Sequence, residues 1–511
     1  MSLFTPAARA ALALTVVSTV PFHMPLSAEM KPIGIFDHHQ DVGEPRLAGD
    51  AVYDETNQVY TVSAAGANMW GNTDQFHFLW KKIDGDFIVQ ATVRFVGEGV
   101  NSHRKLGIIA RDSLEAGSPY ADACVHGDTL TSLQYRLGAN DVTHQAVVSS
   151  FHPTDIQLER RGNTFMFSSA VSGEHYKSVV QDVPLGAAAH VGLFLCSHEE
   201  DVVERAVFSN VRVIIPAPEG FTPYRDYIGS HLEVMDVATG HRRIVHSEPG
   251  SIQAPNWTRD DKLIYNSAAG VMYTFDLATA QVAELNTGPF RQNNNDHVLS
   301  FDGTMLALSN YAGEPRRSTA FILPVTGSDA PVQISSPERG HTYLHGWSPD
   351  GKALIFTGAR HGETGDFRNL WSIDIETREE TPLTPPGTLD DGAEFTPGGE
   401  FIYFNSVRTG TMKIWRMRPD GSHPEQVTFD EYNDWFPHIS PDGKWIIYLS
   451  YPKEIDPWSH PFYQHCTLKL MPAAGGVPRV IAYFYGGQGS INTPSWSPDS
   501  TRIAFVSNSR L

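Results

Sequence analysis

Trp347-Ser348-Pro349-Asp350-Gly351-Lys352-Ala353-Leu354-Ile355-Phe356 is the stretch on which the reading of this chain turns. An aromatic anchor leads into a Pro-Asp-Gly turn, and an alternating apolar run follows. Proline presets φ and glycine accepts a positive φ, so the turn joins two antiparallel strands. The phrase returns at Ile439-Ser440-Pro441-Asp442-Gly443 and at Trp496-Ser497-Pro498-Asp499-Ser500, with weaker copies beginning at Trp257, Leu299 and Phe395. A repeat of roughly 40 to 50 residues built from strands alone is the mark of a propeller blade.

Each phrase supplies an inner strand pair, and an outer pair is expected after it at 271–285, 320–334, 369–383, 413–427 and 467–481. Six inner pairs therefore meet five outer ones. The missing pair lies upstream, in His231-Leu232-Glu233-Val234-Met235-Asp236 and Arg242-Arg243-Ile244-Val245. The spacing predicts a six-bladed propeller over 225–511, its last blade completed by strands from both ends of that region. Such closure removes the exposed edges that invite aggregation.

Residues 31–215 lack the phrase but alternate in period two, as in Asp86-Phe87-Ile88-Val89-Gln90-Ala91-Thr92-Val93 and Lys105-Leu106-Gly107-Ile108-Ile109-Ala110-Arg111. Strands of this kind, separated by turn clusters, predict a β-sandwich of two antiparallel sheets. Pro216-Ala217-Pro218-Glu219-Gly220 reads as a short stiff linker. The expected fold class is all-β, a sandwich followed by a propeller.

Composition narrows the function. A formal charge of −20 argues against general nucleic-acid binding, which needs a basic footprint. Residues 1–28 read as an export signal: Arg9 precedes the apolar run from Ala10 to Val20, and Leu26-Ser27-Ala28 is an imperfect cleavage site. That run is too short to cross a bilayer and no later one is longer, so no membrane span is expected once the signal is removed. A periplasmic or secreted protein is expected. Three cysteines rule out a disulfide-rich scaffold, while Cys124 and Cys196 are open to pairing or to burial as thiols.

The repeated W-S-P-D-G-x-x-I-x-F units resemble the TolB family of six-bladed propellers (WD40-like PD40 repeats), with related repeats in oligogalacturonate lyases and prolyl-oligopeptidase-type peptidases. The likeness covers about 225–511 and implies a fold rather than a reaction. TolB proteins carry an α/β domain where this chain has a strand-rich module, which speaks against a Tol–Pal role. No G-x-S-x-G elbow accompanies the repeats, which speaks against a serine peptidase. Trp70-Gly71-Asn72, Phe76-His77-Phe78-Leu79-Trp80-Lys81-Lys82, Gly107-Ile108-Ile109-Ala110-Arg111-Asp112 and Leu158-Glu159-Arg160-Arg161-Gly162 resemble the concanavalin/laminin-G-like modules of bacterial glycosidases. That resemblance implies contact with carbohydrate.

Blade geometry gathers the long interblade loops at one mouth, where function concentrates. They carry 291–297, Arg316-Arg317, 341–345, Arg360-His361, Asp390-Asp391, Arg408, Asn433-Asp434-Trp435 and 456–465. Three readings of this funnel compete. In the first, His297, His341, His345 and His438 converge on Mn²⁺ or Zn²⁺ with Asp391 and Asp434 nearby, the packed structural histidine being the alternative. In the oligogalacturonate lyases that the chain resembles, such a metal supports β-elimination from a uronate, while Arg and His groups serve the carboxylate and the proton transfer. On these loops His341, Arg360 and Arg408 are the candidates for those roles. In the second, Asp390-Asp391 and Asp434, from adjacent blades, set two carboxylates across a sugar as an acid/base pair, against the plainer reading that they cap loop N–H groups.

In the third, Trp435, Trp458 and Tyr463 offer flat faces to pyranose rings in a site that only binds. Arg111, Gln134 and Arg136 share a sandwich face too polar for a core, so that face is expected to line a glycan groove or dock on the propeller. Asp37-His38-His39-Gln40-Asp41 is metal-friendly in composition and expected in a loop. The expected partner is an oligo- or polysaccharide, with an envelope protein as the alternative. The expected function is glycosidic-bond cleavage by lyase or hydrolase chemistry, against a noncatalytic envelope scaffold.

Overall fold

The computed structural model describes residues 1–2, 31–314, 316–360 and 368–511. The expected signal at 1–28 falls almost wholly outside them, as does His361. Two seven-stranded antiparallel sheets come first. One runs His38–Val42, Phe76–Asp84, Ala188–Cys196, Lys105–Arg111, Tyr120–His126, Thr131–Arg136 and His144–Val147 in spatial order. The second runs Lys177–Asp182, Thr164–Ala170, Asp155–Arg161, Phe87–Val96, Glu199–Ile214, Val59–Gly66 and Asp50–Asp54.

Strand alternation assigns each face. Phe87, Val89, Ala91 and Val93 point into the core between the sheets, where they meet Leu106, Ile108 and Ala110. Ile88 turns the other way, into an apolar cluster with Ile228, Phe462, Tyr463 and Tyr485 of the propeller region. The strand Phe87–Val96 is thus buried on both sides over Phe87–Ala91, which is why it reads there as an almost unbroken apolar run.

Six blades follow. Five are four-stranded, spanning 252–284, 293–333, 343–382, 390–426 and 433–486. The sixth is closed as the repeat count predicts: Arg502–Asn508 pairs with Ser230–Asp236, which pairs with Arg242–Glu248. The repeated phrase is explained by its hydrogen bonds. Ser348 donates to Asp350 at 2.7 Å, and Gly351, at φ 71°, donates its N–H to the Ser348 carbonyl at 2.9 Å. Ser440–Asp442, Ser497–Asp499, Ser300–Asp302 and Thr258–Asp260 repeat the arrangement. The aromatic anchor ties blade to blade, since the Trp347 indole donates to the Val298 carbonyl and Trp496 to that of His438.

One carboxylate fastens the sandwich to the ring closure. Glu233, fully buried, accepts from Arg212 of the second sheet and from Ser507 of the closing strand, each at 2.5 Å. Burial opposes its charge, but Arg212 and then Arg242 outweigh that and hold its pKa down at about 2.

Two expectations change here, and one open choice is decided. Arg111, Gln134 and Arg136 line neither a groove nor a docking face; they are 0, 1 and 0% exposed. The segment before Phe76 folds over that sheet, packing Met69 on Ile109 and Tyr120. It also inserts Asp74, which binds Arg111 at 2.6 Å and Arg136 at 2.7 Å. The face is polar because it holds a buried ion triad, and the opposite sheet does the docking. Second, the stretch His38–Val42 is an edge strand rather than a loop, with His77 bonded to Asp41 at 2.7 Å and to His39 at 3.0 Å. The open choice is that of Cys124 and Cys196, which are free, buried thiols rather than a disulfide.

Candidate functional site

Inner strands of five blades carry a β-bulge close to the axis, where the register shifts at 253/256, 293/297, 344/346, 391/394 and 435/438. A bulge bends its strand and re-aims a side chain. Ala254, Gly392 and Phe436 take the left-handed conformation there, with φ of 53°, 63° and 54°. At Gly392 a Cβ would lie 2.5 Å from the Asn405 side-chain oxygen, so only glycine fits.

The re-aimed residues line a polar funnel of about 770 Å³. Gln253, Asp296, His345, Asp391, Phe436 and Asn492 bring one contribution from each blade, and Tyr311, Tyr343, Arg368 and His460 add to the wall. His345 Nε2 lies 2.7 Å from Asp391 Oδ1. Burial would lower the His345 pKa, but Asp391 outweighs it and the net shift is upward. Asp391 is held well below the usual carboxylate range, because His345 more than offsets its burial.

Asp296 moves the opposite way. Burial, reinforced by the negative Asp391, lifts its carboxyl to about 7 against the pull of His345 and Arg368. His460 stacks on Trp435 with ring centres 4.5 Å apart, and burial drives its pKa down to about 4. Near pH 6 the funnel therefore holds a neutral carboxylic acid, a neutral imidazole and an imidazolium–carboxylate pair. Arg368 sits over the Tyr343 ring at 5.5 Å.

Of the residues expected from sequence, His345 and Asp391 reach this funnel. His341 lies at its rim, its ring stacked on Tyr343 and its Nδ1 accepting from the Ser318 N–H at 3.2 Å. Arg360 is bound to Glu380 at 2.9 Å and Arg408 to Asp390 at 3.0 Å. Asp434 is fully buried between strands, where it accepts from Ser450 at 2.7 Å and lies 3.5 Å from Lys469. Trp435 is 0% exposed behind His460, and Tyr463 accepts from the Ile228 N–H in the junction cluster. Trp458 is 46% exposed outside the funnel.

The expected metal ligands do not meet. His297 is wholly buried, and His438 bridges Glu394 at 2.8 Å and the Ile491 carbonyl at 2.6 Å. Among the described residues no group of three His, Cys, Asp or Glu is arranged to hold a metal ion. The donor set for Mn²⁺ or Zn²⁺ is therefore not assembled among the described residues.

Asp296, His460 and Arg368 were not singled out from sequence. A usable signal was present four residues before five of the six anchors, at Gln253, Asn295, Tyr343, Asp391 and Asn492, all of which line the funnel; before the sixth, Ile439, stands the buried Trp435. Attention to the histidines two before the anchor missed it.

The model of the TolB beta propeller domain, PD40, matches residues 298–457. An uncharacterized protein of Agrobacterium fabrum is 37% identical over 278 residues, covering 54% of this chain and 92% of its own length. A solved structure described as "putative TolB from Agrobacterium tumefaciens" shares 36% identity with a TM-score of 0.52, over 56% of this chain and all of its own. An oligogalacturonate lyase solved with manganese is 14% identical at a TM-score of 0.34, covering 50% of this chain and 67% of its own, too remote to inform the chemistry. A repeat phrase that closes six blades, with a relative matched along nearly its whole length, places the chain in the family of TolB-like β-propeller proteins.

Proposed function

We propose that the funnel is the active site of an enzyme that cleaves glycosidic bonds in an oligo- or polysaccharide by proton transfer. One observation carries this reading: Asp296 and His460 line the same cavity with titrations displaced in opposite directions. Groups pushed apart in this way divide the acid and base roles at one working pH. Asp296, protonated, donates to the departing glycosidic oxygen. His460, neutral, accepts a proton from water in hydrolysis or from a ring carbon in elimination. The ionic His345–Asp391 pair fixes the electrostatics between them. Tyrosine faces and the side-chain amides of Gln253, Asn294 and Asn492 suit a hydroxyl-rich ligand.

The test is a panel of oligosaccharides incubated with purified protein, with and without chelator. New reducing ends identify a hydrolase, and unsaturated products identify a lyase. A chelator-insensitive rate is expected. The His345–Asp391 pair, in which each charge neutralises the other, also suits a noncatalytic glycan- or protein-binding scaffold of the cell envelope. Saturable binding without either product would establish that second reading, and neither binding nor product would remove both.

Export to the periplasm or medium is part of the proposal, and it rests on the composition of 1–28. The mature chain is expected to lack those residues by intact mass in an exported fraction. A cytosolic, full-length product would refute it.

A further inference from the structure

The segment joining sandwich to propeller leaves the second sheet at Ile214 and reaches the first propeller strand at Ser230. Aromatic contacts hold both sides of the loop it makes. Phe221 packs on Tyr463 with ring centres 4.7 Å apart, and Tyr227 lies against Phe462 at 5.8 Å. Inside the loop the Thr222 N–H donates to the Asp226 carboxylate at 2.9 Å, and the Asp226 N–H donates to the Thr222 carbonyl at 3.0 Å. Tyr224 stands at the crown of that turn.

Three observations single Tyr224 out. Its backbone is left-handed, with φ 62°, a region that a bulky side chain takes only under strain. Its ring is 66% exposed, yet it helps to line the funnel. Burial at its hydroxyl end, followed by the Asp296 carboxylate, pushes the phenol up to about 12, so the ring reaches toward the proposed acid. Other funnel tyrosines have a face already covered: Arg316 lies over Tyr311 at 5.4 Å, and His341 stacks on Tyr343 at 5.6 Å. Among the described residues no ring stacks on Tyr224, and Phe462 meets it at a steep 79° with centres 5.2 Å apart.

We propose that Tyr224 is the platform on which a sugar ring of the ligand lies, held over Asp296 by the interdomain linker. The inference rests on the reading of the funnel as a saccharide site and supplies a binding residue that the reading lacks. Strained residues persist where their surroundings over-determine them, and they gather at ligand clamps. A ring so exposed has little packing of its own to justify the strain. An open aromatic face suits the C–H face of a pyranose. Because the turn fixes the ring beforehand, little ordering is left to oppose binding.

The test compares Tyr224→Ala, Tyr224→Gly and Tyr224→Phe with the parent in the full chain. Probes are maltohexaose, cellohexaose, xylohexaose, N-acetylchitohexaose and a uronate hexamer. On whichever the parent cleaves, KM should rise about tenfold in the alanine and glycine variants while kcat moves little, and Tyr224→Phe should restore the parental KM. Where the parent binds without cleaving, titration calorimetry reads the dissociation constant in the same way. Thermal melts separate binding from packing. Both truncations should melt close to the parent, with Tyr224→Gly the higher of the two, because glycine takes that φ without strain. A KM unmoved by Tyr224→Ala, an equal loss in Tyr224→Phe, or an affinity loss that tracks a large drop in melting temperature overturns the proposal and leaves the funnel reading intact. A parent that neither cleaves nor binds any of these probes removes the funnel reading, and the platform with it.

Discussion

Asp296→Asn is expected to lower the rate of glycosidic cleavage by about 100-fold or more, with little change in substrate affinity. Asparagine keeps the shape and hydrogen bonding of the neutral acid but has no proton to give, and general-acid catalysis is worth about 10² to 10⁴ in rate. The pH profile gives the same assignment a second reading. Asp296 loses its proton as pH rises through about 7, and His460 gains one as pH falls through about 4. Activity should therefore peak between those values and fall on both sides. In Asp296→Asn the alkaline limb should disappear from whatever rate remains. An unchanged alkaline limb would show that another group donates the proton. Asp391→Asn tests the neighbouring pair: without its carboxylate, buried His345 should shed its charge, and the profile should shift with it.

Asp74→Ala should unfold the sandwich more readily than any surface substitution. It would leave Arg111 and Arg136, both fully buried, without their shared carboxylate. Breaking a buried ion pair from one side costs about 3–5 kcal/mol, because the abandoned charge remains desolvated. Carbonyls of Glu115, Ser118 and Gly71 still accept from the guanidiniums, but they do not neutralise them. Arg46→Ala is the control. Its pair with Asp201 at 2.9 Å joins side chains 61 and 71% exposed, and a surface pair contributes about 1 kcal/mol or less. Urea unfolding of both variants settles the comparison. Equal losses would mean that the triad is ornamental to stability.

The propeller was legible because each blade writes its own turn locally: Ser348, Asp350 and Gly351 bond within four residues, so the phrase carries its geometry with it. Ring closure was legible by counting pairs. The site was legible only in part. His345 and Asp391 stood out as residue types that do chemistry, whereas Asp296 was hidden at the end of an Asn293-Asn294-Asn295 run. What brings it to the axis is a bulge, and a bulge leaves almost no trace in composition. Arg360, Arg408 and Asp434 misled for the complementary reason. Their partners Glu380, Asp390 and Ser450 lie 16 to 20 residues away and satisfy them internally. The buried face of Arg111 and Arg136 needed Asp74, 37 and 62 positions upstream, which no local pattern links to them.

The clasp between Ser230–Asp236 and Arg502–Asn508 also sets an order on biosynthesis. Both sheets of the sandwich can be complete by Ile214, so that half is free to fold as it leaves the ribosome. Its neighbour must then hold an unpaired ribbon open while five further blades are made, until the final strand arrives. For that interval the nascent chain presents a bare edge to every other copy, and holding chaperones, rather than intrinsic stability, would govern its yield.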